Sequence, residues 1–197
     1  INMLNGKLNG RKIVLASGSP RRQQFLRELN VDFEIRLKEV EEVYPPHLQG
    51  AEITDYLALL KASALDDSVT EDEIVITSDT IVWHEGKALG KPADRNHAFG
   101  MLQSLGGKTH EVITSVCIRH KGNSDVFNDT TKVTFNPLSD DEINYYLENY
   151  RPYDKAGAYG IQEWIGLVAI ARIEGSYNNV VGLPVDKVYQ HLLKIAG

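Results

Sequence analysis

The run from Ser17 to Arg22, Ser-Gly-Ser-Pro-Arg-Arg, contains residue types that could bind an anion. Ser19 is predicted to cap a helix whose first residue is Pro20, because the missing N–H of proline costs nothing at that position. Arg21 and Arg22 then fall in the first turn, where the helix dipole disfavours cations. A bound anion would reverse this penalty, since backbone N–H groups and guanidinium groups would hold it together. We predict a phosphate site here; the alternative is a pair of solvated surface arginines.

Asp79 is a second candidate, because it follows the buried apolar run 74–77 and precedes another at 81–83. This carboxylate is expected to emerge at a strand end or within the sheet, and ligands of α/β sheets bind near the carboxyl ends of strands. It could deprotonate a water or hold a metal ion. The alternative is an aspartate that makes a turn or caps a helix. The residues after it predict a strand, which favours the chemical interpretation.

Several other polar residues are candidates only when they are considered together with the residues above. Lys61 and Lys91 each look like surface lysines, but chemistry at a phosphorus atom needs cations around it. The pair Glu41-Glu42 is typical of a solvated surface and could instead bind a metal or activate water. Gln162 closes a loop rich in glycine and tyrosine. Its amide could read a nucleobase edge, although many glutamines only contact water.

Composition excludes several classes of protein. A net charge of −6 over 197 residues argues against a nucleic-acid binder with a broad basic face, but a small phosphate ligand needs only a local basic cluster. The single cysteine, Cys117, allows neither an intramolecular disulfide nor a cysteine-based zinc site. We find no apolar run of about 20 residues and no signal-peptide pattern. We therefore expect a cytoplasmic protein with no membrane partner.

The elements that must position these residues alternate between strand and helix, which predicts an α/β fold with a mixed sheet. Residues 139–142 form a predicted capping box. Residues 1–10 are expected to be a poorly structured N-terminal extension. Strands are predicted at 13–16, 74–77, 111–119, 126–135 and 167–173, helices at 20–29, 54–65, 93–105, 139–150 and 185–195, and loops at 151–162 and 175–184.

The motifs, taken in order, resemble the Maf family of nucleoside triphosphate pyrophosphatases almost from end to end. Any one of them could arise by chance, whereas all of them in order is highly specific. They are Leu-Ala-Ser-Gly-Ser-Pro-Arg-Arg at 15–22, the Glu41-Glu42 pair, Leu-Ala at 57–58 followed by Lys-Ala at 61–62, Ser-Asp-Thr at 78–80, Gly-Lys-Pro at 90–92, Gly-Lys-Thr-His at 107–110, the run 154–162, and 175–177 with 181–184.

The resemblance implies cleavage between the α- and β-phosphates of a nucleoside triphosphate, giving a monophosphate and pyrophosphate. It implies a divalent cation, Mg²⁺ or Mn²⁺, as cofactor. The implied structure is a single Maf-like domain over 1–197 with an elongated α/β fold, similar to the inosine triphosphate pyrophosphatases, in which two lobes flank a cleft. A homodimer is a further expectation from the family.

The resemblance also assigns roles by position. Asp79 looks like the proton acceptor, with Lys61 and Lys91 as catalytic cations, and Glu42 and Asp79 as metal ligands. Phosphate and substrate binding is predicted for Ser17, Ser19, Arg22, Asp154 and Lys155. A specificity trio marks the branch that resembles dTTP/UTP pyrophosphatases, and its matching residues here are Arg21, Thr80 and Gln162.

Two alternatives stay open at this stage. The first is a pyrophosphatase for modified or purine triphosphates such as 7-methyl-GTP, the substrate preferred by another branch of the family. The second is a regulatory nucleotide-binding protein that affects septum formation and hydrolyses its ligand slowly. The combination of Asp79 with the two lysines favours an enzyme, because a sensor needs no such set.

Overall fold

The computed structural model describes residues 3–197 and is an α/β fold, as predicted. The helices are α1 Met3–Leu8, α2 Pro20–Glu28, α3 Ala51–Ser63, α4 Arg95–Leu105, α5 Asp140–Tyr150, α6 Trp164–Val168, α7 Tyr177–Val181 and α8 Val185–Ala196. The strands are β1 Ile13–Leu15, β2 Phe33–Ile35, β3 Ile74–His84, β4 Lys87–Leu89, β5 Thr109–His120, β6 Asn123–Phe135 and β7 Ile170–Glu174.

The strands form one mixed seven-stranded sheet in the order β2-β1-β3-β5-β6-β7, with β4 paired to β3. Strand β1 runs parallel to both β2 and β3, so that Ile13 lies beside Phe33 on one side and Ile74 on the other. The pairs β3–β4 and β6–β7 are antiparallel. The run 74–84 is thus one continuous strand, which carries Asp79 in its middle.

The chain divides into two compact units, and the division falls inside β3, directly after Asp79. The first unit contains the described residues up to Asp79, Thr114–Asn128 and Gly182–Gly197. Its core is apolar and brings together side chains from both termini with the parallel strands. Members of this core are Leu4, Leu8, Ile13, Leu15, Leu26, Val31, Ile74, Ile76, Val116, Ile118, Leu183, Val188 and Leu192.

The second unit contains Thr80–Ile113 and Asp129–Val181. Helix α4 buries Ala98, Met101, Leu102 and Leu105, the four residues predicted to share one face. Helix α5 packs against α4 and begins with the predicted capping box. The Glu142 N–H donates to Ser139 Oγ at 3.1 Å, and the Ser139 N–H donates to Glu142 Oε1 at 2.8 Å.

Two predictions of local structure near the C-terminus are wrong. Residues 164–168 form α6, and the strand predicted from residue 167 begins only at Ile170, since a short apolar run does not distinguish a strand from a helical turn. The predicted loop at 175–184 contains α7. There the buried Asn179 amide donates to the carbonyl oxygens of Val112 and Asp129 at 3.1 and 3.2 Å, which stabilises a turn of helix.

The N-terminal prediction is also wrong for residues 3–8, which form α1 instead of a poorly structured extension. Leu4 and Leu8 are buried, and α1 packs on the closing helix α8. The Arg11 guanidinium adds a hydrogen bond to the Ile195 carbonyl oxygen at 2.9 Å. Ile1 and Asn2 lie outside the described residues. No helix among residues 3–197 is long and apolar enough to cross a membrane.

We expect Leu8→Ala to lower the free energy of unfolding by about 2–5 kcal/mol, because it opens a cavity at a fully buried position. Lys7→Ala, on the exposed side of the same helix, is the matched control and should change stability by less than about 0.5 kcal/mol. Urea unfolding followed by circular dichroism measures both. Equal, small effects of the two substitutions would contradict the docking of α1.

Candidate active site

The start of α2 has the geometry predicted from its sequence. Ser19 is the N-cap, with its Oγ accepting the Arg22 N–H at 3.3 Å. The turn before it is held by Ser17, which is buried and whose Oγ accepts the Ser19 N–H at 3.2 Å. The Gln23 side-chain amide donates to the Ser17 carbonyl oxygen at 2.9 Å. These bonds hold the turn and the first helical residues in one arrangement.

The two arginines of this helix start have different surroundings. The Arg22 Nε donates to the Gly182 carbonyl oxygen at 2.8 Å, which ties the side chain to the segment before α8. Burial lowers the pKa of Arg22 to about 10; the charge of Arg21 also lowers it, whereas Asp79 and Glu42 raise it. Arg22 is therefore a partly desolvated cation held by backbone, close enough to two acidic residues to sense their charge.

Lys61 lies at the centre of a cluster in the first unit. Its Nζ is 3.1 Å from Asp79 Oδ1, 2.9 Å from Glu42 Oε1 and 3.1 Å from the Ser78 carbonyl oxygen. Glu42, and not its neighbour Glu41, makes this contact. The sequence-predicted residues Glu42, Lys61 and Asp79 are thus brought together from a loop, a helix and a strand.

Helix α3 is held against the sheet by small side chains that face β5 and by one hydrogen bond to β3. Ala58 and Ala62 lie buried against Cys117, which allows the helix backbone to approach the sheet closely. The buried Thr77 hydroxyl donates to the Ala58 carbonyl oxygen at 2.6 Å. Lys61 stands one turn further along this helix, and its position beside Asp79 follows from that approach.

The Asp79 carboxylate is almost fully buried, and its two oxygens differ. Oδ1 accepts from Lys61, whereas Oδ2 has no hydrogen-bond partner in the part of the chain that the structure describes. Burial raises the pKa of Asp79; Lys61 opposes the rise by charge and hydrogen bond, and the charge of Glu42 adds to it. A desolvated carboxylate with one open oxygen has the chemistry of a general base.

The remaining predicted residues belong to the second unit. Thr80 is half-buried on β3, and Lys91 and Gln162 are exposed. The Lys155 Nζ is 3.0 Å from Asp154 Oδ1. The Gly157 N–H donates to the Gly90 carbonyl oxygen at 3.1 Å, which places the loop 151–162 beside the segment that carries Lys91.

Gly157 is required for this arrangement. Its φ is +69°, and a Cβ atom there would lie 2.6 Å from Val82 Cγ2. Any side chain would therefore separate the loop from β3. From composition alone, this segment is only a connecting loop. The structure fixes it to the part of β3 that follows Asp79.

Sequence reasoning missed two residues of this loop region, Tyr146 and Glu163. The Tyr146 hydroxyl donates to Glu163 Oε1 at 2.5 Å and accepts the Gly160 N–H at 2.9 Å. Tyr146 has the spacing of a core residue of α5, and Glu163 that of a solvated loop residue. The sequence offered one signal, the hydroxyl group of Tyr146. A tyrosine buried in the core needs a polar partner for its hydroxyl, and that partner could have been sought among nearby residues.

The family described as "Maf-like protein" matches residues 12–195. This chain belongs to the Maf family. Proteins named dTTP/UTP pyrophosphatase from Flavobacterium psychrophilum and Flavobacterium johnsoniae are each 60% identical to it, covering 97% and 96% of this chain and 98% of each relative. The resemblance drawn from the motifs is confirmed.

More distant Maf relatives are also similar over most of their length. A protein named dTTP/UTP pyrophosphatase from Bacteroides fragilis is 51% identical over 185 residues, which is 93% of this chain and 96% of the relative.

Among solved structures, the Ham1 protein of Staphylococcus aureus covers 63% of this chain and 71% of its own length, with 15% identity and a TM-score of 0.48.

The acidic residues of this Maf protein could supply part of a metal site. Within residues 3–197, no group of three or more His, Cys, Asp or Glu side chains is arranged to hold a metal ion. Glu42 and Asp79 are two carboxylates that share one ammonium partner. Two carboxylates fit a cation that takes its other ligands from phosphate and water.

We expect Asp79→Asn to stabilise the fold at neutral pH. The raised pKa means that the folded state binds the proton more tightly than the unfolded chain does, so stability falls as pH rises above the ordinary value of 3.8 and through the raised value. The asparagine carries no charge and escapes this loss. Its unfolding midpoint should exceed that of the wild type at pH 7–8, and each gain of about 1 kcal/mol would raise the midpoint of a domain of this size by roughly 2–4 °C.

The advantage of this variant should vanish below the ordinary pKa, where the wild-type carboxyl is also neutral. Asp67→Asn, at an exposed carboxylate of the same unit, is the control and should leave the midpoint unchanged across the range. Thermal scans from acid to neutral pH measure all three proteins. A midpoint for Asp79→Asn below that of the wild type at neutral pH would contradict the electrostatic account.

Proposed function

We propose that this Maf protein hydrolyses nucleoside triphosphates, preferentially dTTP and UTP, to a nucleoside monophosphate and pyrophosphate. The observation that carries the proposal is the buried Asp79 carboxylate, held on Oδ1 by Lys61 and raised in pKa. The printed names of relatives at 60% identity support the choice of substrate. A purely nucleotide-binding protein would have no need of a carboxylate kept in this costly environment.

In the proposed reaction, Asp79 acts on the attacking water. Its Oδ2 takes a proton from the water as the water oxygen bonds to the α-phosphorus, and the bond to the bridging oxygen breaks to release pyrophosphate. The Lys61 ammonium keeps the carboxylate ionised before the attack. Lys61 also stabilises the negative charge that develops on the phosphoryl oxygens.

The start of α2 is proposed to bind the phosphates. The backbone N–H groups after Ser19, with the Arg21 and Arg22 guanidinium groups, form an electropositive helix terminus of the kind that binds phosphate. The buried Ser17 holds the turn that aims these groups. Motif position further assigns a catalytic cation to Lys91, phosphate and substrate binding to Asp154 and Lys155, and substrate selection to Arg21, Thr80 and Gln162.

We propose Mg²⁺ or Mn²⁺ as cofactor, with Glu42 and Asp79 as its protein ligands. When bound, such a cation neutralises phosphate charge and polarises the phosphoryl group. Lys61 lies between the two carboxylates, so a cation that binds both must share them with the ammonium. This arrangement favours a cation that arrives with the nucleotide over a permanently held ion.

A pyrophosphate-release assay across triphosphates tests the proposal. With Mg²⁺ or Mn²⁺, we expect dTTP and UTP to be cleaved faster than 7-methyl-GTP and inosine triphosphate, and EDTA to stop turnover. Asp79→Asn should lower kcat for dTTP by about 10²–10⁴-fold, since it removes the general base. Asp67→Asn is the matched control.

Two outcomes of this assay would overturn the proposal. Near wild-type turnover by Asp79→Asn would remove Asp79 from its assigned role. Tight nucleotide binding with negligible pyrophosphate release under saturating Mn²⁺ would support a regulatory binding protein instead. A preference for 7-methyl-GTP would keep the reaction and change the substrate.

The two arginines of the helix start should differ in function. Arg22 is committed to the Gly182 carbonyl oxygen, whereas the specificity trio includes Arg21. We expect Arg21→Lys to lower kcat/KM for dTTP and UTP by about tenfold or more, because lysine cannot reproduce the guanidinium fork. Arg22→Lys should have a much smaller effect. Steady-state kinetics with both nucleotides measures the difference, and equal losses would show that the two residues share one role.

A further inference from the structure

Three polar groups of the second unit converge around Gly160. The Tyr146 hydroxyl donates to Glu163 Oε1 at 2.5 Å and accepts the Gly160 N–H at 2.9 Å. The same Glu163 oxygen lies 3.9 Å from Lys155 Nζ. A chain of contacts therefore leads from the core of α5 to the ammonium of Lys155, a predicted phosphate-binding residue.

The inner end of this chain is rigid. Tyr146 is fully buried and stacks on Tyr150 with 5.3 Å between ring centroids. Burial, followed by the hydrogen bond to Glu163, raises the pKa of Tyr146 far above its ordinary value. The phenol therefore keeps its proton and donates a hydrogen bond to Glu163.

The middle of the chain of contacts is closely packed. A Cβ atom on Gly160 would lie 2.8 Å from both Glu163 Oε1 and Lys155 Cε. The Lys155 stem and the Glu163 carboxylate thus pass over Gly160 because it lacks a side chain. The enclosed path leaves the Lys155 side chain only 13% exposed.

Lys155 has two acidic neighbours of different character. Asp154 is closer, but its side chain is 59% exposed. The Glu163 side chain is 24% exposed and is fixed from behind by Tyr146. An exposed carboxylate orders a lysine weakly, because solvent screens the pair and both side chains lose rotamer freedom. A carboxylate that is already held in place loses less rotamer freedom when it pairs with the lysine.

We propose that Glu163 is a positioning residue that, held by Tyr146, aims the Lys155 ammonium at the polyphosphate of the substrate. The inference rests on the proposed function, which makes a polyphosphate the ligand. It adds Glu163 and Tyr146 to the residues on which the reaction depends. Neither residue contacts substrate in this role.

The effect of Glu163 on substrate binding should be the same whichever nucleobase the substrate carries. Its side chain contacts Lys155, whereas its backbone N–H donates to the Gly160 carbonyl oxygen at 3.0 Å and closes the turn that contains Gln162. Glu163→Gln retains this backbone bond and an oxygen acceptor for Tyr146. It removes only the charge that attracts Lys155.

Binding of inorganic tripolyphosphate, measured by calorimetry with Mg²⁺ present, separates positioning from simple electrostatics. If Glu163 positions Lys155, Glu163→Gln should raise the Kd roughly fivefold or more. If Glu163 were only a negative charge near an anion site, its removal would lower the Kd instead. Glu148→Gln, which removes an exposed charge from α5, is the matched control and should leave the Kd unchanged.

A double-mutant cycle tests whether the effect passes through Lys155. In a Lys155→Met background, Glu163→Gln should cause no further loss of tripolyphosphate binding. The ratio of kcat/KM for dTTP to that for UTP should stay at the wild-type value. Additive losses, a changed ratio, or unchanged or tighter binding by Glu163→Gln would each overturn the inference.

Two further results keep the test decisive. If Glu163→Gln does not fold, Tyr146→Phe replaces it and should weaken tripolyphosphate binding in the same direction. If the wild type binds no tripolyphosphate, the inference fails. If tripolyphosphate binding depends on Lys155 and Glu163 as described but no triphosphate releases pyrophosphate, the proposed reaction fails while the positioning role holds.

Discussion

The burial of the Asp79 carboxylate beside one ammonium is the constraint on which the candidate site depends. A charged carboxylate in a low-dielectric environment is costly unless it is paired and hydrogen-bonded. Lys61 must therefore be delivered to it with little freedom. The close packing of α3 on the sheet places Lys61 beside Asp79, through Ala58 and Ala62 against Cys117 of β5 and through the Thr77 hydrogen bond from β3.

Backbone carbonyl groups hold two cations of the first unit. The Ser78 carbonyl oxygen accepts from Lys61, and the Gly182 carbonyl oxygen accepts from Arg22. A neutral carbonyl orients a cation without cancelling its charge, so the Arg22 guanidinium can still attract an anion. The charge of Lys61 is in addition shared by Asp79 and Glu42. Burial of Arg22, which lowers its pKa to about 10, strengthens this attraction because less water competes for the guanidinium.

Local structure followed from sequence wherever one local interaction dominates. The N-cap at Ser19 and the capping box at Ser139 depend on residues three apart, and both were predicted correctly. Helix α1 and helix α7 were missed because their stability comes from distant partners: α8 for the first, and the backbone of β5 and β6 for the Asn179 amide of the second. Propensity and composition do not record such contacts.

The sequence by itself determined the family, the capped start of α2 and the set of candidate polar residues, because the motifs occur in order and their types are specific. Only the tertiary structure decided that Glu42 and not Glu41 pairs with Lys61, and that Tyr146 and Glu163 stand behind Lys155. It also decided which Asp79 oxygen is occupied. Each of these depends on side chains packed together from separate parts of the chain, and the distances and burial that result decide which groups are paired.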